Sequence, residues 1–310
     1  MSSIMTNTSA MTALNALRMT NSSIETTQSR ISTGYRVSEA SDNAAYWSIA
    51  TTMRSDNKVL GTVQDALGLG AGLVDTAYTA INTVIDYVDE IKAKVAAATQ
   101  DGVDKSKIQS EIAQLQAGIT STVNSASYAG SNWLVTETGA AATQDIVSSF
   151  TRDANGGISL GTISITLANY ALIDNTTAAG TSQVGLLENV TFSYTPAGAT
   201  SSTSVTGWDL TALDVTTADL EEALAGVDHI LTQLTDKASN LGAIKSRIDL
   251  QSNFVDNLMD AMDRGIGQLV DADMEEESTR LQALQVQQQL GIQALSIANS
   301  NAQNLLSLFR

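Results

Sequence analysis

The C-terminal end of the chain is helical by pattern yet uncharged, and this most restricts how the chain can fold. No Asp, Glu, Lys or Arg occurs from Leu281 to Phe309, and the other faces carry Gln, Asn and Ser. Apolar residues recur there at the spacing of one helix face, namely at Leu281, Leu284, Leu295, Ala298, Ala302, Leu305 and Phe309. Because a lone helix of this kind buries too little apolar surface to offset its ordering entropy, it needs other helices around it.

The N-terminal end has the same character. Residues 1–17 are uncharged, and further apolar residues follow at helical spacing. We expect the two ends to bury each other or a neighbouring copy. The predicted assembly interface consists of Leu14, Leu17, Ile24, Ile31, Leu281, Leu284, Leu295, Leu305 and Phe309.

A heptad repeat begins at Leu60 and has the spacing of a coiled coil. Its first register, the predicted helical core, is Leu60, Leu67, Val74, Ile81, Val88 and Val95, and its second is Val63, Gly70, Ala77, Val84 and Ile91. Gly68, Gly70 and Gly72 would permit close approach of a neighbouring helix. After the turn-like Thr-Gln-Asp-Gly at 99–102, a second stripe runs from Ile108 to Ala126. We expect these two helices to pair antiparallel.

A third long helix is predicted from near Thr217, with Asp219, Glu221 and Glu222 in its first turn, where they complement the helix dipole. Arg264, Gly265 and Gly267 predict a break in it. The acid-rich residues 271–277 then predict the first turn of the C-terminal helix.

The residues between Leu134 and Leu213 differ in character, since Gly, Ser, Thr and Ala dominate and short apolar runs alternate. The runs predict strands at Ile158 and Leu160, at Ile163, Ile165 and Leu167, and at Val190, Phe192 and Tyr194. The predicted fold is mainly α, an elongated rod of long antiparallel or coiled-coil helices with paired terminal helices and a small β-rich insertion. Its predicted parts are terminal segments 1–37 and 272–310, a helical rod 38–135 and 214–271, and an outward-facing variable insertion 136–213.

Composition argues against several classes of function. With 33 acidic and 16 basic residues the net charge is −17, which disfavours nucleic acid and anionic membranes as partners. Because there is no cysteine, neither a disulfide nor a thiolate metal site is possible. We expect no membrane span, since Gln and Asn interrupt the uncharged end. The N-terminus lacks the pattern of a Sec signal peptide.

No set of residues predicts catalysis, a cofactor or a metal. His229, the only histidine, is interpreted as a solvated helix residue beside Asp228, and a zinc-protease motif would need two histidines. The acidic residues 271–277 do not match a calcium loop, so a helix N-terminus is the better interpretation. Asn175 and Asn189 begin N-glycosylation sequons, which occur by chance in Thr-rich sequence. We therefore expect a protein that is not an enzyme.

Two blocks of sequence resemble bacterial flagellin. The family pattern Ser-Gly-x-Arg-Ile with a following Asp-Asp-Ala-Ala corresponds to Thr33-Gly34-Tyr35-Arg36-Val37 and Asp42-Asn43-Ala44-Ala45. Its Gln-Gln-Ala-Gly block corresponds to Gln288-Gln289-Leu290-Gly291, continues to Asn299, and is followed by the typical ending Leu-Leu-Ser-Leu-Phe-Arg. The opening residues look most like flagellins of rhizobia and related alphaproteobacteria. The resemblance extends over everything except the central insertion.

The resemblance implies a structural subunit that self-assembles into the extracellular flagellar filament used for motility. It implies secretion through the flagellar type III export apparatus, a homopolymer, alone or with sister flagellins, and contacts with cap and hook-junction proteins. Two alternatives stay open at this point. One is a hook-filament junction protein, which shares the terminal coiled-coil design, and the other is a secreted adhesin or enzyme built on the insertion. The O-linked sugars of the family would lie on Ser or Thr of the insertion.

The resemblance also implies a receptor-facing patch at Asp89 and Glu90. Flagellins sensed by the mammalian Toll-like flagellin receptor carry a Gln-Arg-Val-Arg-Glu-Leu pattern, which corresponds to residues 86–91 here. Val88, Glu90 and Ile91 fit this pattern, but Asp89 stands where the family has arginine. Because a carboxylate cannot replace a guanidinium in a bidentate contact and reverses its charge, we expect weak recognition. The plainer interpretation, that Asp89 is a solvated charge beside Val88, holds as well.

Overall fold

The structure, a computed structural model, describes residues 7–100, 102–136, 143–153, 156–174, 185–197 and 201–307, with side chains as far as Ser300. The predicted fold class is confirmed, because long helices dominate these residues and the strands form small sheets. The helices are α1 (Thr8–Thr33), α2 (Ala44–Ala98), α3 (Lys105–Ser125), α4 (Leu220–Val270) and α5 (Met274–Ser307). The strands are β1 (Ser127–Tyr128), β2 (Ser131–Asn132), β3 (Val135–Thr136), β4 (Thr143–Arg152), β5 (Ile158–Thr166), β6 (Ile173–Asp174), β7 (Val190–Tyr194) and β8 (Thr203–Trp208).

The chain divides into two compact units. The first comprises Met1–Lys58 with Met259–Arg310, and the second comprises Val59–Leu258. Both α2 and α4 contribute residues to each unit. In the part of the chain that the structure describes, no helix is both long and apolar enough to cross a membrane.

The core of the second unit follows the heptad of α2. The first-register side chains are at most 1% exposed, and they are Leu60, Leu67, Val74, Ile81, Val88 and Val95. On α3, Ile112, Ile119 and Val123 are equally buried. On α4, the buried set includes Val227, Ile230, Leu234, Leu241 and Ile248.

Side-chain contacts show that α3 and α4 both run antiparallel to α2 in this unit. Lys94 of α2 pairs with Glu111 of α3 at 2.8 Å. Tyr87, seven residues before Lys94, packs against Gly118, which lies seven residues after Glu111. On α4, Lys92 pairs with Asp228 at 2.6 Å and Asp75 pairs with Lys245. The antiparallel pairing predicted for α2 and α3 is thus confirmed.

The strands form four two-stranded sheets among the described residues, and three of them are antiparallel: β1 with β2, β4 with β5, and β7 with β8. The fourth, β3 with β6, is parallel. The turn between β1 and β2 contains Ala129 at φ 52° and Gly130 at φ 82°, which suits a tight hairpin. Strands were predicted within β5 and β7, but Leu167 begins a 3₁₀ turn instead.

Two local predictions about glycines are wrong. Gly70 and Gly72 do not admit a neighbouring helix: a Cβ added to Gly70 would lie 2.6 Å from Ile146 Cγ2 of β4, and one added to Gly72 would lie 2.8 Å from the Tyr128 ring. The helix α4 does not break at Gly265 or Gly267 but continues to Val270. Its end coincides with the Val270 carbonyl accepting from the Arg36 and Val37 amides, at 2.7 and 3.2 Å.

Candidate assembly interface

In the first unit, α1 and α5 form an antiparallel pair. The Asn7 side chain donates to the Ala298 carbonyl at 2.9 Å, and the Gln288 side chain donates to Asn21 at 2.8 Å. Between these, a Cβ at Gly291 would lie 3.3 Å from Leu17 Cδ1. As the residue number increases along α1, the number of its partner residue on α5 decreases, so the two helices run antiparallel. Gly291 therefore lets the two helices approach closely where Leu17 crosses.

Local capping defines where both helices begin and where α1 ends. Asn7 Oδ1 accepts from the Ala10 amide at 3.1 Å and starts α1, while Asp273 accepts from the Glu275 and Glu276 amides at 2.9 and 3.2 Å and starts α5. Gly34, at φ 74°, ends α1 in the left-handed conformation that glycine adopts most easily. The acidic residues predicted at the helix start thus serve as a cap and first turn of α5.

The two chain segments meet where α1 ends and α5 begins. Tyr35 forms an antiparallel bridge with Asp271, and the Ala272 amide donates to the Gly34 carbonyl at 2.9 Å. Behind this bridge lies a small apolar cluster that consists of Val37, Ala50, Ile266 and Val270, with Met53 and Leu269 packed against it. The bridge and the cluster join the N-terminal third of the unit to its C-terminal part.

One buried carboxylate joins the charges of α1 to those of α5. Glu277 is 5% exposed, and its Oε1 accepts from Arg30 at 3.1 Å and from Arg280 at 3.2 Å. Arg280 also pairs with Glu276 at 2.7 Å. Because Glu277 is buried while Arg30 and Arg280 are 28% and 45% exposed, the carboxylate depends on these two guanidinium groups to compensate its charge.

The loop that follows α1 is fixed by Asp42. Its Oδ2 accepts from the Ser38 and Glu39 amides at 3.0 and 3.2 Å. These hydrogen bonds, chiefly the one from Glu39, lower the pKa of Asp42 below its usual value. The carboxylate therefore stays ionised and keeps the loop in place before α2.

The predicted interface residues are only partly covered by this helix pair. Leu17, Ile24 and Ile31 on α1, and Leu281, Leu284 and Leu295 on α5, are half-buried. Leu14 is 37% exposed. Leu305 belongs to α5, but its side chain lies outside the described residues, as does Phe309 entirely. Their role in assembly stays a prediction.

A second apolar stripe on α5 was not predicted. Val286, Leu290 and Ile297 are 55%, 58% and 61% exposed. By the 3.6-residue repeat they lie on the side of the helix opposite Leu284 and Leu295. On α1, Met11 and Met19 are likewise exposed, at 59% and 70%. The signal was present in the sequence, because the end carries more apolar residues than one stripe can hold.

On α2, the buried heptad position Val88 is followed by the two residues of the predicted receptor-facing patch. Asp89 and Glu90 are both exposed, and Glu90 lies 3.4 Å from Lys94. Glu111, and then Glu90, raise the pKa of Lys94 by pairing with its ammonium group. No contact of the structure tests whether a receptor binds here, so the patch stays a prediction.

The interpretation of His229 as a solvated residue is wrong. Its ring is half-buried and stacks on Phe192 with centroids 5.9 Å apart, and its Nε2 lies 2.7 Å from the Gln233 amide nitrogen. Phe192 in turn meets Trp208 edge to face at 5.8 Å. The imidazole therefore belongs to an aromatic cluster that fixes β7 and β8 on α4. Within the described residues no group of His, Asp or Glu is arranged to hold a metal ion.

Comparisons with known proteins match both helical ends. The family model of the bacterial flagellin N-terminal helical region matches residues 4–138, and that of the C-terminal helical region matches residues 224–309. Flagellin C of Rhizobium meliloti (strain 1021) is 51% identical over 328 residues, and the flagellin of Brucella melitensis biotype 1 is 48% identical over 311 residues. Both matches cover 100% of each chain.

Two further matches differ in identity and coverage. Flagellin A of Rhizobium meliloti is 45% identical over 395 residues, with 100% of each chain covered. A crystal structure of Bacillus cereus flagellin matches 63% of this chain and 88% of that chain at 19% identity, with a TM-score of 0.39. Neither the family models nor the sequence relatives support a hook-filament junction protein or a secreted adhesin or enzyme. The chain belongs to the bacterial flagellins, the family of structural subunits that build the extracellular flagellar filament.

Proposed function

We propose that this chain polymerises through the exposed apolar stripes of α1 and α5, which the helix pair cannot cover by itself. The observation that carries the proposal is the pair of opposed stripes on α5: Leu284 and Leu295 are half-buried, whereas Leu290 and Ile297 are left exposed. A stripe of this kind needs further helices against it. Neighbouring copies of the same helix pair supply them.

The charge distribution supports the same surface. Copies with a net charge of −17 repel one another, so their contacts must lie where charge is scarce. Along α1 the charged residues are Arg18, Glu25 and Arg30, and beyond Arg280 the described part of α5 has none. The helix pair is therefore a long surface with little charge, on which copies can meet.

The proposal extends to the domains of the chain, its export and its partners. Residues 1–37 and 272–310 form the inner coiled-coil segments, residues 38–135 and 214–271 the helical rod, and residues 136–213 an outward-facing insertion. The chain is secreted through the flagellar type III export apparatus, meets the cap and hook-junction proteins, and forms a homopolymer, alone or with sister flagellins. It acts as a structural protein and not as an enzyme, and its single histidine packs in an aromatic cluster.

The test compares two aspartate substitutions at sites of matched exposure. Leu290 is 58% exposed on α5, and Leu160 is 55% exposed on β5 in the insertion. Leu290→Asp should abolish polymerisation of the purified chain, because burying a charge at each subunit contact costs several kcal/mol. Leu160→Asp should polymerise as the unmodified chain does. Seeded polymerisation is measured by sedimentation and electron microscopy.

Both variants should keep the circular dichroism of the unmodified monomer, since neither side chain is buried in it. Normal filaments from Leu290→Asp would show that the exposed stripe is not the assembly surface. Equal loss of polymer in both variants would show that charge anywhere on the exposed surface is harmful, and would remove the special role of α5.

A further inference from the structure

The second unit carries a groove between α2 and α3 that no part of the described chain fills. It is open to solvent and has a volume of about 680 Å³. Ala80 and Ala126, at 7% and 8% exposed, form its deep part, and the hydroxyl-bearing side chains Thr79 and Ser121 form its walls. The Tyr128 ring, which lies over Gly72, closes one side. Small residues along the floor leave room for large side chains.

The same unit carries an apolar ridge on α4. Leu250 is 69% exposed and Phe254 is 57% exposed. Because they are four residues apart on a helix, their side chains lie next to each other on one face. Neither residue lines the groove, so a subunit does not fill its own groove with its own ridge.

Both surfaces are poor in charge within a strongly acidic chain. No charged residue occurs from Thr76 to Ile85 on α2, from Gly118 to Asn132 at the end of α3 and beyond, or from Leu250 to Val255 on α4. Asp75 is the acidic residue of the groove lining, and it pairs with Lys245. Apolar or neutral surfaces of this kind are the ones that repelling copies can bring together.

An open helical polymer needs two different surfaces that fit each other, because a head-to-tail contact repeats only if each copy offers both. We propose that the ridge of Leu250 and Phe254 on one subunit docks into the α2 and α3 groove of a neighbouring copy. The ridge supplies the large side chains and the groove supplies the small-residue floor, with Tyr128 as an aromatic partner for Phe254. This inference rests on the proposed function, since it assigns a contact within the polymer.

Disulfide cross-linking tests the contact directly, since the chain has no cysteine of its own. Two full-length variants, Phe254→Cys and Thr79→Cys, are polymerised together, oxidised, and separated on a non-reducing gel. We expect covalent dimers in the mixed filaments and only background in unpolymerised monomers. Each variant polymerised alone should also give background, because neither ridge meets ridge nor groove meets groove. The control replaces Phe254→Cys by Thr235→Cys, at an exposed position elsewhere on α4.

Each outcome decides the question. Normal mixed filaments whose cross-linking does not exceed that of the Thr235→Cys mixture would overturn the contact and leave the filament role intact. If Phe254→Cys prevents polymerisation, Leu250→Cys replaces it. Loss of polymer in both ridge variants but not in Thr235→Cys would support the contact, because the loss is confined to the ridge. Failure of the unmodified chain to polymerise would reject the proposed function and this contact with it.

Discussion

The two units differ in how much of their own apolar surface they cover. In the second unit, heptad side chains from Leu60 to Val95 are almost completely buried by α3, α4 and the small sheets. In the first unit, α1 has a single buried side chain among those described, Thr27, although it is 26 residues long. The heptad core of the second unit is covered within one subunit, and Leu250 and Phe254 of α4 stay exposed, whereas the terminal helix pair leaves Met11 and Met19 of α1 and the second stripe of α5 uncovered.

The difference indicates that the second unit holds a single chain folded, and it supports the proposal that copies polymerise mainly through the helix pair. Burial in the second unit supplies the hydrophobic free energy that holds one chain folded. The helix pair keeps hydrogen bonds and ion pairs between its helices, such as that of Arg30 with Glu277, but leaves Val286, Leu290 and Ile297 uncovered. Each prediction below breaks or sharpens this contrast, in order of decreasing effect.

Amide hydrogen exchange of the monomer should separate the two units most strongly. Amides of α2 from Leu67 to Val95 should exchange about a thousandfold or more slowly than those of α1 and α5, because opening the terminal helices exposes few buried contacts. In the filament, the amides of α1 and α5 should exchange as slowly as those of α2. Mass spectrometry of both states measures this. Equal protection of the two regions in the monomer would mean that the helix pair is complete without neighbours.

Recognition of the free monomer by a receptor should depend on the second unit, which carries Asp89 and Glu90. We expect the mammalian Toll-like flagellin receptor to respond weakly to this chain, and Asp89→Arg to increase the response by about tenfold or more, since it restores a guanidinium donor. A reporter-cell assay with purified monomer measures the response.

The matched control is Asp65→Arg, which makes the same charge change at another exposed position of α2. It should leave the response unchanged. Strong activation by the unmodified chain at nanomolar concentration would show that Asp89 is tolerated, and an equal gain from Asp65→Arg would show a general effect of charge.

Two glycines of α2 should respond oppositely to the same substitution. A Cβ at Gly68 meets nothing within 4 Å, so Gly68→Ala should stabilise the second unit by about 0.5–1 kcal/mol through helix propensity. A Cβ at Gly70 would lie 2.6 Å from Ile146 Cγ2, so Gly70→Ala should destabilise it by about 1–3 kcal/mol. Thermal unfolding of both variants measures the difference. A stabilising Gly70→Ala would mean that β4 can move away without loss.

The smallest effect concerns a buried carboxylate that works against stability. Glu188 is 9% exposed and accepts from the Asp174 amide at 2.9 Å. Burial, and then the charges of Asp209 and Asp174, raise the pKa of Glu188 above its ordinary 4.5. The folded state therefore holds this proton more tightly than the unfolded state does. Its contribution to stability falls as pH rises from 4.5 through the raised folded pKa.

Glu188→Gln should remove this fall, because the amide oxygen can still accept from Asp174. The melting temperature of the variant relative to the unmodified chain should rise with pH across that window. Glu25→Gln, which removes the same charge from an exposed side chain of α1, should show no such trend in the unfolding of the second unit. A difference that does not change with pH would contradict the assignment of the raised pKa to Glu188.

Sequence patterns predicted the elements in which apolar periodicity is strong. The heptad of α2, the stripe of α3 and the strands β5 and β7 all repeat side chains of one type at one spacing. The strand β4 was missed because its buried positions are Ile146, Ser148 and Phe150. A buried serine, whose hydroxyl donates to the Gly161 carbonyl at 3.2 Å, hides the alternation.

Other features depend on contacts that a sequence does not display. The end of α4 is set by the Arg36 and Val37 amides at the Val270 carbonyl, from a segment more than 230 residues earlier. The glycines before it stay helical, and Gly265 packs against Met53. The exposed stripe of α5 was missed for a different reason, since counting one helix face does not reveal that a second face is also apolar.

The bridge between Tyr35 and Asp271 has a consequence for the order in which a growing chain becomes functional. The partners that α1 uses, such as Glu277 for Arg30, lie 247 residues further along the chain. A chain interrupted anywhere before Asp271 cannot form the α1 and α5 pair, however well its second unit folds. The helix pair thus works as a check of completeness, because only a full-length polypeptide can present it. Because contacts of such long sequence separation slow folding, we expect the helix pair to form after the local contacts within each helix.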